Sequence, residues 1–347
     1  MHFFRTTRGV ARLAVSPHAV LDRPVASPVA GRAVGALSRA AVGLFALAVW
    51  TSPLQAGTIT IPNASFESPL APTEYPYAMP DMDAWQKSPQ PDGYDPSQNN
   101  DTPWEDLMGT FFNLPYPGVF IDDSDGIQAA FLFALPEVAI FQDYDSIGGT
   151  NTTPSHAFNA TFNVNRAYLL TVGVMGSVYG NPPLYEGATV QLSLYYRDAS
   201  SNMVTVAAAT ITNSADLFPT NTHLVDFSVY VPGVLPTDAW AGQHIGVQIA
   251  STVSTNLSGG YWDLDNVRLT ETALPVLSNP LVTNSQCGFT LLSQPGLRFE
   301  ILASTNPASA LSNWSSVATL TNVTGAIPFL DPATNLSRRF YLARQLP

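Results

Sequence analysis

The stretch "ATVQLSLYYRD" (188–198) decides the fold class, because its apolar residues fall at every second position. In an extended chain Val190, Leu192 and Leu194 would share one face, and polar residues would occupy the other. This period of two predicts a half-buried β-strand. The preceding "NPPLYEG" (181–187) is rich in turn residues, so the strand has a defined beginning.

The same alternation recurs along the chain between clusters of Asn, Gly, Pro and Ser. It is found in "FNATFNV" (158–164), "AYLLTVGVMG" (167–176), "MVTVAAATIT" (203–212), "HLVDFSVYV" (223–231) and "HIGVQIAST" (244–252). Several short strands at regular spacing indicate an all-β protein, here a jelly-roll β-sandwich over 57–273.

A change of pattern marks the end of this domain. "LPVLSNP" (274–280) contains two prolines, and we expect a linker over 274–279. The remaining residues, 280–347, contain short strands around Trp314 and are enough for a second, smaller β-sandwich.

The N-terminus is typical of an export signal. Six arginines and one acid, Asp22, precede residue 40, and the apolar run "AAVGLFALAVW" (40–50) follows. Leu54 and Ala56 then frame a small-residue cleavage site. The run is too short for an ordinary membrane span of ~20 residues. We therefore expect 1–56 to be a signal peptide, and the mature protein to be secreted or on the cell surface without a membrane span.

Composition excludes several classes of function. The chain has 14 Lys and Arg against 26 Asp and Glu, so it would repel nucleic acid. Cys287 is the single cysteine and cannot form an internal disulfide. Histidines are few and lack ligand spacing, and no Ser-His-Asp order or phosphate loop is found.

Three oxygen-rich segments stand next to predicted strands. They are "NASFE" (63–67), "DDSDG" (122–126) and "YWDLDN" (261–266). Oxygen ligands drawn from distant segments suit calcium. Each segment alone is also an ordinary turn that bonds its own backbone, and the two explanations stay open on spacing alone.

Over roughly 58–272 the sequence resembles the galactose-binding-like jelly rolls. Their short motifs are matched by "NASFE", Trp85, the "DG" turn at 125–126, "AIFQ" (139–142), "FNVNRAYLLTV" (162–172) and "DNVRL" (265–269). That superfamily includes carbohydrate-binding modules and the calcium-binding Stig cyclases, which fold prenylated indole alkaloids. The tail, 280–347, is similar to a fibronectin-like module of secreted bacterial proteins.

The resemblance implies roles for particular acids. Glu67 and Asp265 match positions that commonly bind a structural calcium, with Asp125 as a weaker match. The cyclases use a carboxylic acid in an aromatic pocket as general acid, and Asp263 would be its counterpart if that chemistry is present. Asp263 and Asp265 share a face of one strand, so Asp263 could instead serve the metal.

The function that we expect from the sequence is non-catalytic binding of a carbohydrate or cell-surface ligand. No complete catalytic set is recognised, and aromatic side chains supply candidate sugar-binding faces. These candidates are Tyr75, Tyr77, Trp104, Tyr116, Tyr179 and Tyr185. One alternative is a calcium-dependent cyclase or lyase that uses Asp263, and another is a structural surface protein. The expectation leans against an enzyme.

Overall fold

The computed structural model describes residues 10–15, 57–115, 120–147, 153–177, 183–219, 222–283, 286–332 and 338–346, with the backbone alone for 10–15 and Thr283. These residues form β-strands, short 3₁₀ turns and loops, and no α-helix is found among them. None of the described helices is long and apolar enough to cross a membrane. The all-β prediction is confirmed.

Five of the six alternating segments form strands, whereas 158–164 makes only an isolated bridge from Thr161 to His244. The strands are β1 (Val10–Val15), β2 (Gly57–Ile59), β3 (Ala78–Met79), β4 (Gln86–Lys87), β5 (Met108–Phe112), β6 (Gln128–Phe133), β7 (Ala139–Gln142), β8 (Arg166–Gly176), β9 (Thr189–Arg197), β10 (Met203–Thr212), β11 (Val225–Val231), β12 (Gly246–Ser251), β13 (Tyr261–Ala273), β14 (Val276–Thr283), β15 (Gln286–Leu292), β16 (Arg298–Ser304), β17 (Ser315–Thr321), β18 (Ala326–Leu330) and β19 (Arg339–Gln345). The 3₁₀ turns are η1 (Pro96–Gln98), η2 (Trp104–Leu107), η3 (Thr255–Leu257) and η4 (Leu311–Asn313).

The chain divides into two compact units, with residues 56–274 in the first and residues 275–347 together with β1 in the second. The first contains two antiparallel sheets. One has the order β10-β9-β12-β7-β4, and the other has the order β11-β8-β13-β6-β5-β3 with β2 also paired to β13. This is the β-sandwich that the alternation predicts, and its core includes the buried Val190, Leu192 and Leu194 of β9.

Strand β13 lies inside the second of these sheets, between β8 and β6, and determines where the site lies. Trp262 and Leu264 are fully buried in the sandwich core. Because side chains alternate along a strand, Tyr261, Asp263 and Asp265 lie on the opposite face. The acids of β13 are therefore not part of the apolar core.

The second unit has its own sheets and core. Its sheet orders are β1-β19-β16-β17 and β14-β15-β18, and Phe289, Phe299 and Tyr341 are buried together. Strand β14 begins at Val276 and so includes 276–279 of the segment that the sequence suggests as a linker. A shift of register between Ser278 and Leu281 accommodates Pro280, which has no N–H for the ladder.

Most of the predicted signal peptide lies outside the described residues. Within 1–56 only 10–15 are described, and they form β1, which pairs antiparallel with β19. The apolar run 40–50 and the cleavage site are not among them.

Candidate functional site

A cavity of about 300 Å³ lies where Asp263 of β13 points away from the core. Volumes of this size are typical of sites for small organic ligands. The lining residues are Pro76, Tyr77, Ala78, Asp106, Phe111, Phe112, Leu114, Phe131, Ser177, Tyr261 and Asp263. Aromatic rings dominate this lining, and its described carboxyl groups are those of Asp106 and Asp263.

Asp263 is a buried carboxyl group in an apolar setting. It is only 3% exposed, and its backbone pairs with Phe131 on one side and Met175 on the other. Burial raises its pKa to about 7, and a hydrogen bond with the Ser177 side chain opposes this rise. A carboxyl group of this kind is partly protonated at neutral pH and can donate a proton.

The aromatic wall beside Asp263 is organised around Tyr261. Its ring lies edge-on to Phe131 and Phe133, with centroid distances of 5.8 and 4.8 Å. Edge-to-face packing of this kind holds rings in fixed orientations. Burial also raises the pKa of Tyr261, so its phenol stays protonated at neutral pH.

The segment Pro76–Ala78 supplies another part of the lining and is fixed to β5. The Phe112 N–H donates to the Tyr77 carbonyl at 2.8 Å, and Ala78 pairs with Phe111 in the ladder. Tyr77 has a φ of 62°, an uncommon conformation for a residue other than glycine. Such conformations persist where the surrounding structure imposes them.

Glu67, Asp125 and Asp265 form a carboxylate cluster. Asp265 is only two residues after Asp263 on β13, but its contacts are different from those of the cavity residues. The Asp125 N–H donates to Asp265 Oδ2 at 2.8 Å, and Asp265 is fully buried. Glu67 Oε1 accepts the N–H groups of Ile127 and Gln128 at 3.0 and 2.9 Å. The structure therefore joins the three segments that carry the predicted metal ligands.

Burial, together with the negative charges of Asp125 and Glu67, raises the pKa of Asp265 to about 7. Hydrogen bonds from the backbone N–H groups of Asn266 and Asp125 oppose this rise. Among the described residues no group of three or more His, Cys, Asp and Glu side chains is arranged to hold a metal ion. A calcium ion would thus have to draw on carbonyl or water oxygens as well, which is usual for this ion. The hard, negatively charged donors fit calcium in their chemistry.

The predicted sugar-binding aromatics do not form one surface. Tyr77 lines the cavity, whereas Tyr75 and Tyr185 are exposed side chains outside its lining. Trp104 is 4% exposed, belongs to the core and donates its indole N–H to the Ser88 carbonyl at 2.7 Å. Tyr116 and Tyr179 lie outside the described residues.

Several lining residues were missed from the sequence. Phe111, Phe112 and Phe131 stand in strands, where a phenylalanine ordinarily indicates core. Asp106 stands in a proline-rich stretch that has no strand period. A usable signal was available for β6, since "QAAFLF" (128–133) places Phe131 and Phe133 on the face opposite Leu132.

Comparison with known proteins bears on this site. A family model described as HpiC1-like, HpiC1 cyclase, matches residues 57–270. A search of curated proteins found no match.

Among solved structures, an apo cyclase from Fischerella sp. is 21% identical, with 63% of this chain and 97% of that chain covered and a TM-score of 0.45. The Stig cyclase Fisc from Fischerella sp. TAU, in complex with (3Z)-3-(1-methyl-2-pyrrolidinylidene)-3H-indole, is 20% identical, covering 63% and 99%, with a TM-score of 0.44. The tandem CBM22 domain of Paenibacillus barcinonensis Xyn10C is 10% identical, covering 75% and 85%, with a TM-score of 0.31.

The family match corrects the function expected from the sequence. A model of cyclases covers nearly the whole first unit, so the prediction of a non-catalytic binding protein is wrong, as is the leaning against an enzyme. The physical reason is the location of the aromatic residues. Instead of forming an exposed sugar platform, rings from several strands enclose a buried carboxyl group.

Proposed function

The chain belongs to the HpiC1-like family of cyclases over residues 57–270, and from that premise we propose that it cyclises a small aromatic substrate by proton transfer from Asp263. The observation that carries the proposal is the position of this carboxyl group, buried in an aromatic cavity of about 300 Å³. We take the substrate class to be a prenylated indole, which the resemblance to Stig cyclases implies and which is small enough for such a cavity.

The proton balance of the proposed reaction is simple. The Asp263 carboxyl group donates its proton to the substrate, which becomes electrophilic, and a carbon–carbon bond then closes the ring. Loss of a proton from the cyclised cation returns the carboxyl group to its protonated form. Substrate and product are isomers, so no oxidant or reductant is required.

The surrounding residues support this role. The Ser177 side chain is hydrogen-bonded to the Asp263 carboxyl group and orients it. The rings of Phe131 and Tyr261 present polarisable faces and edges next to the site of charge development. They also exclude water, which would otherwise trap a cationic intermediate.

We also propose a structural calcium ion held by Glu67 and Asp265, with Asp125 nearby. Its support is the convergence of these acids through short backbone hydrogen bonds, without a described Lys or Arg in an ion pair with any of them. When bound, the ion would neutralise the cluster and connect the chain near β2 to β13. It has no part in the proton transfer.

Two proposals concern the rest of the chain. Export of the protein is supported by the arginine-bearing N-terminus, the apolar run 40–50 and the small residues before 57. The second proposal is that the second unit is a fibronectin-like accessory module. The small size and all-β structure of this unit support it. Fractionation of cells expressing the tagged full chain tests the first, and activity of the chain truncated after Leu274 tests whether the second is needed.

The catalytic proposal is tested by product analysis. The purified protein is incubated with prenylated indoles, and products of unchanged mass but altered retention are sought by liquid chromatography and mass spectrometry. Asp263→Asn should reduce the rate by about 10²- to 10⁴-fold, the usual contribution of a general acid. Asp92→Asn, at an exposed aspartate outside the cavity, is the matched control. Equal activity of the Asp263 variant and the wild type would refute the proposal.

A further inference from the structure

The cavity contains a second carboxylate that the proposed proton transfer does not use. Asp106 lines the cavity together with Asp263, but it lies on η2 rather than on a sheet strand. Asp263 is buried, whereas Asp106 is exposed. The two acids stand in different surroundings and therefore suit different tasks.

The turn that carries Asp106 is firmly anchored. On its two sides Trp104 and Leu107 are buried in the core. The Trp104 indole N–H donates to the Ser88 carbonyl at 2.7 Å, and Tyr94 packs edge-on against the Trp104 ring at 5.0 Å. The backbone that carries Asp106 is therefore held in place, which a preorganised binding group requires.

The described residues that line the cavity include acids but no basic side chain. Its described lining contains two acids, two phenols and a serine, but no Lys, Arg or His. Outside the lining, the charge of Lys87 interacts with that of Asp106, and the Lys87 ammonium group donates a hydrogen bond to the Glu105 carbonyl. An anionic ligand would be repelled here, and the aromatic faces would favour a cation.

We infer that the cavity takes a ligand carrying a protonated amine, with the Asp106 carboxylate as its counter-ion. The inference rests on the proposed function for the indole part of the ligand, and it adds the charged group. Asp106 is then a specificity residue, which selects the substrate without transferring a proton. Cyclisation would act on an aminoalkyl-substituted aromatic compound rather than on an acidic one.

Binding of three indoles that differ in one group tests the inference. Tryptamine carries a protonated amine at neutral pH, 3-propylindole is its uncharged counterpart of similar size, and indole-3-propionic acid is the anion. Dissociation constants are measured by isothermal titration calorimetry on the full chain at pH 7 and low salt. Wild type should bind tryptamine about fivefold more tightly than 3-propylindole, the order expected of one partly solvated ion pair, and should bind the acid most weakly.

Two charge-neutral variants assign the preference to one residue. Asp106→Asn should bring the ratio of tryptamine to 3-propylindole affinity close to one. Glu105→Gln removes the same charge one residue earlier, at an exposed side chain that does not line the cavity, and should keep the wild-type ratio. Thermal unfolding of both variants checks that they are folded.

The binding results test the counter-ion role of Asp106 directly. If wild type binds tryptamine and 3-propylindole equally, or if Asp106→Asn keeps the preference, the counter-ion role is refuted while an indole-binding cavity stands. If none of the three compounds binds, the inference is refuted too, whereas the proposed function is judged by the turnover of prenylated indoles.

Discussion

Asp263 and Asp265 lie two residues apart on the same face of β13, yet they belong to two different sites. Asp263 lines the aromatic cavity, whereas Asp265 accepts the Asp125 N–H at 2.8 Å and lies in the carboxylate cluster. Burial raises the pKa of both to about 7, and the charges of Asp125 and Glu67 contribute only to that of Asp265. One strand thus carries a proposed proton donor and a proposed metal ligand side by side.

The first prediction concerns the pH dependence of cyclisation. A general acid must be protonated, and the pKa of Asp263 is about 7, so kcat/KM should be constant below about pH 6 and fall as pH rises through 7. Above this pKa the rate should drop tenfold per pH unit. The profile is measured between pH 5 and 9 with the folded state checked by circular dichroism at each pH. A rate that rises from pH 6 to 8 would contradict the assignment of Asp263 as the acid.

The second prediction concerns metal removal. If calcium binds the native state alone, EDTA should lower the melting temperature. The expected decrease is roughly 5–10 °C when the free calcium concentration before chelation is about 100 times the dissociation constant. The effect should be larger at pH 8 than at pH 6, because the Asp265 pKa of about 7 means that protons compete with the ion at the lower pH.

Variants locate the ion in the same assay. Glu67→Gln and Asp265→Asn should lose the response to EDTA, while Asp263→Asn should keep it. Retention of the full response in both cluster variants would show that any bound ion lies elsewhere.

The strands of the fold could be predicted from the sequence, but the contacts within the carboxylate cluster could not. The period of two in β8, β9 and β12 follows directly from burial of one face of a strand, and it yielded the sandwich. The joining of Glu67 to the 125–128 turn depends on contacts across 60 residues, which no local pattern contains. Resemblance to a superfamily, not spacing, pointed to that pairing.

The cavity could not be predicted from the sequence, because its lining depends on which strands lie next to each other in the sheet. Phe131 and Tyr261 look like core residues in sequence, and only the pairing of β6 with β13 places their rings next to Asp263. Trp104 illustrates the opposite case. Its proline-rich surroundings indicated an exposed binding face, but its side chain is anchored in the core.

The third prediction concerns Gly126, which lies against the carboxylate cluster. Its φ is 99°, and a Cβ there would come within 2.4 Å of the Glu67 carboxyl carbon. Gly126→Ala should therefore destabilise the protein by about 2–4 kcal/mol, through backbone strain and displacement of Glu67. Gly242→Ala is the matched control, since its φ of 78° imposes similar strain while no described atom lies within 4 Å of the new Cβ. Equal losses of unfolding free energy in urea for both variants would mean that the contact with Glu67 contributes nothing.

The last prediction concerns Gly109, which allows β3 to lie against β5. A Cβ at Gly109 would come within 2.1 Å of the Met79 carbonyl oxygen, so Gly109→Ala must displace β3 and with it the neighbouring Tyr77. Because this segment lines the cavity, we expect kcat/KM to fall at least tenfold even in preparations that remain folded. Gly93→Ala, where the structure describes no atom within 4 Å of the new Cβ, should leave kcat/KM within twofold of wild type. Wild-type kinetics in a folded Gly109→Ala protein would show that the segment over 76–78 does not shape the active cavity.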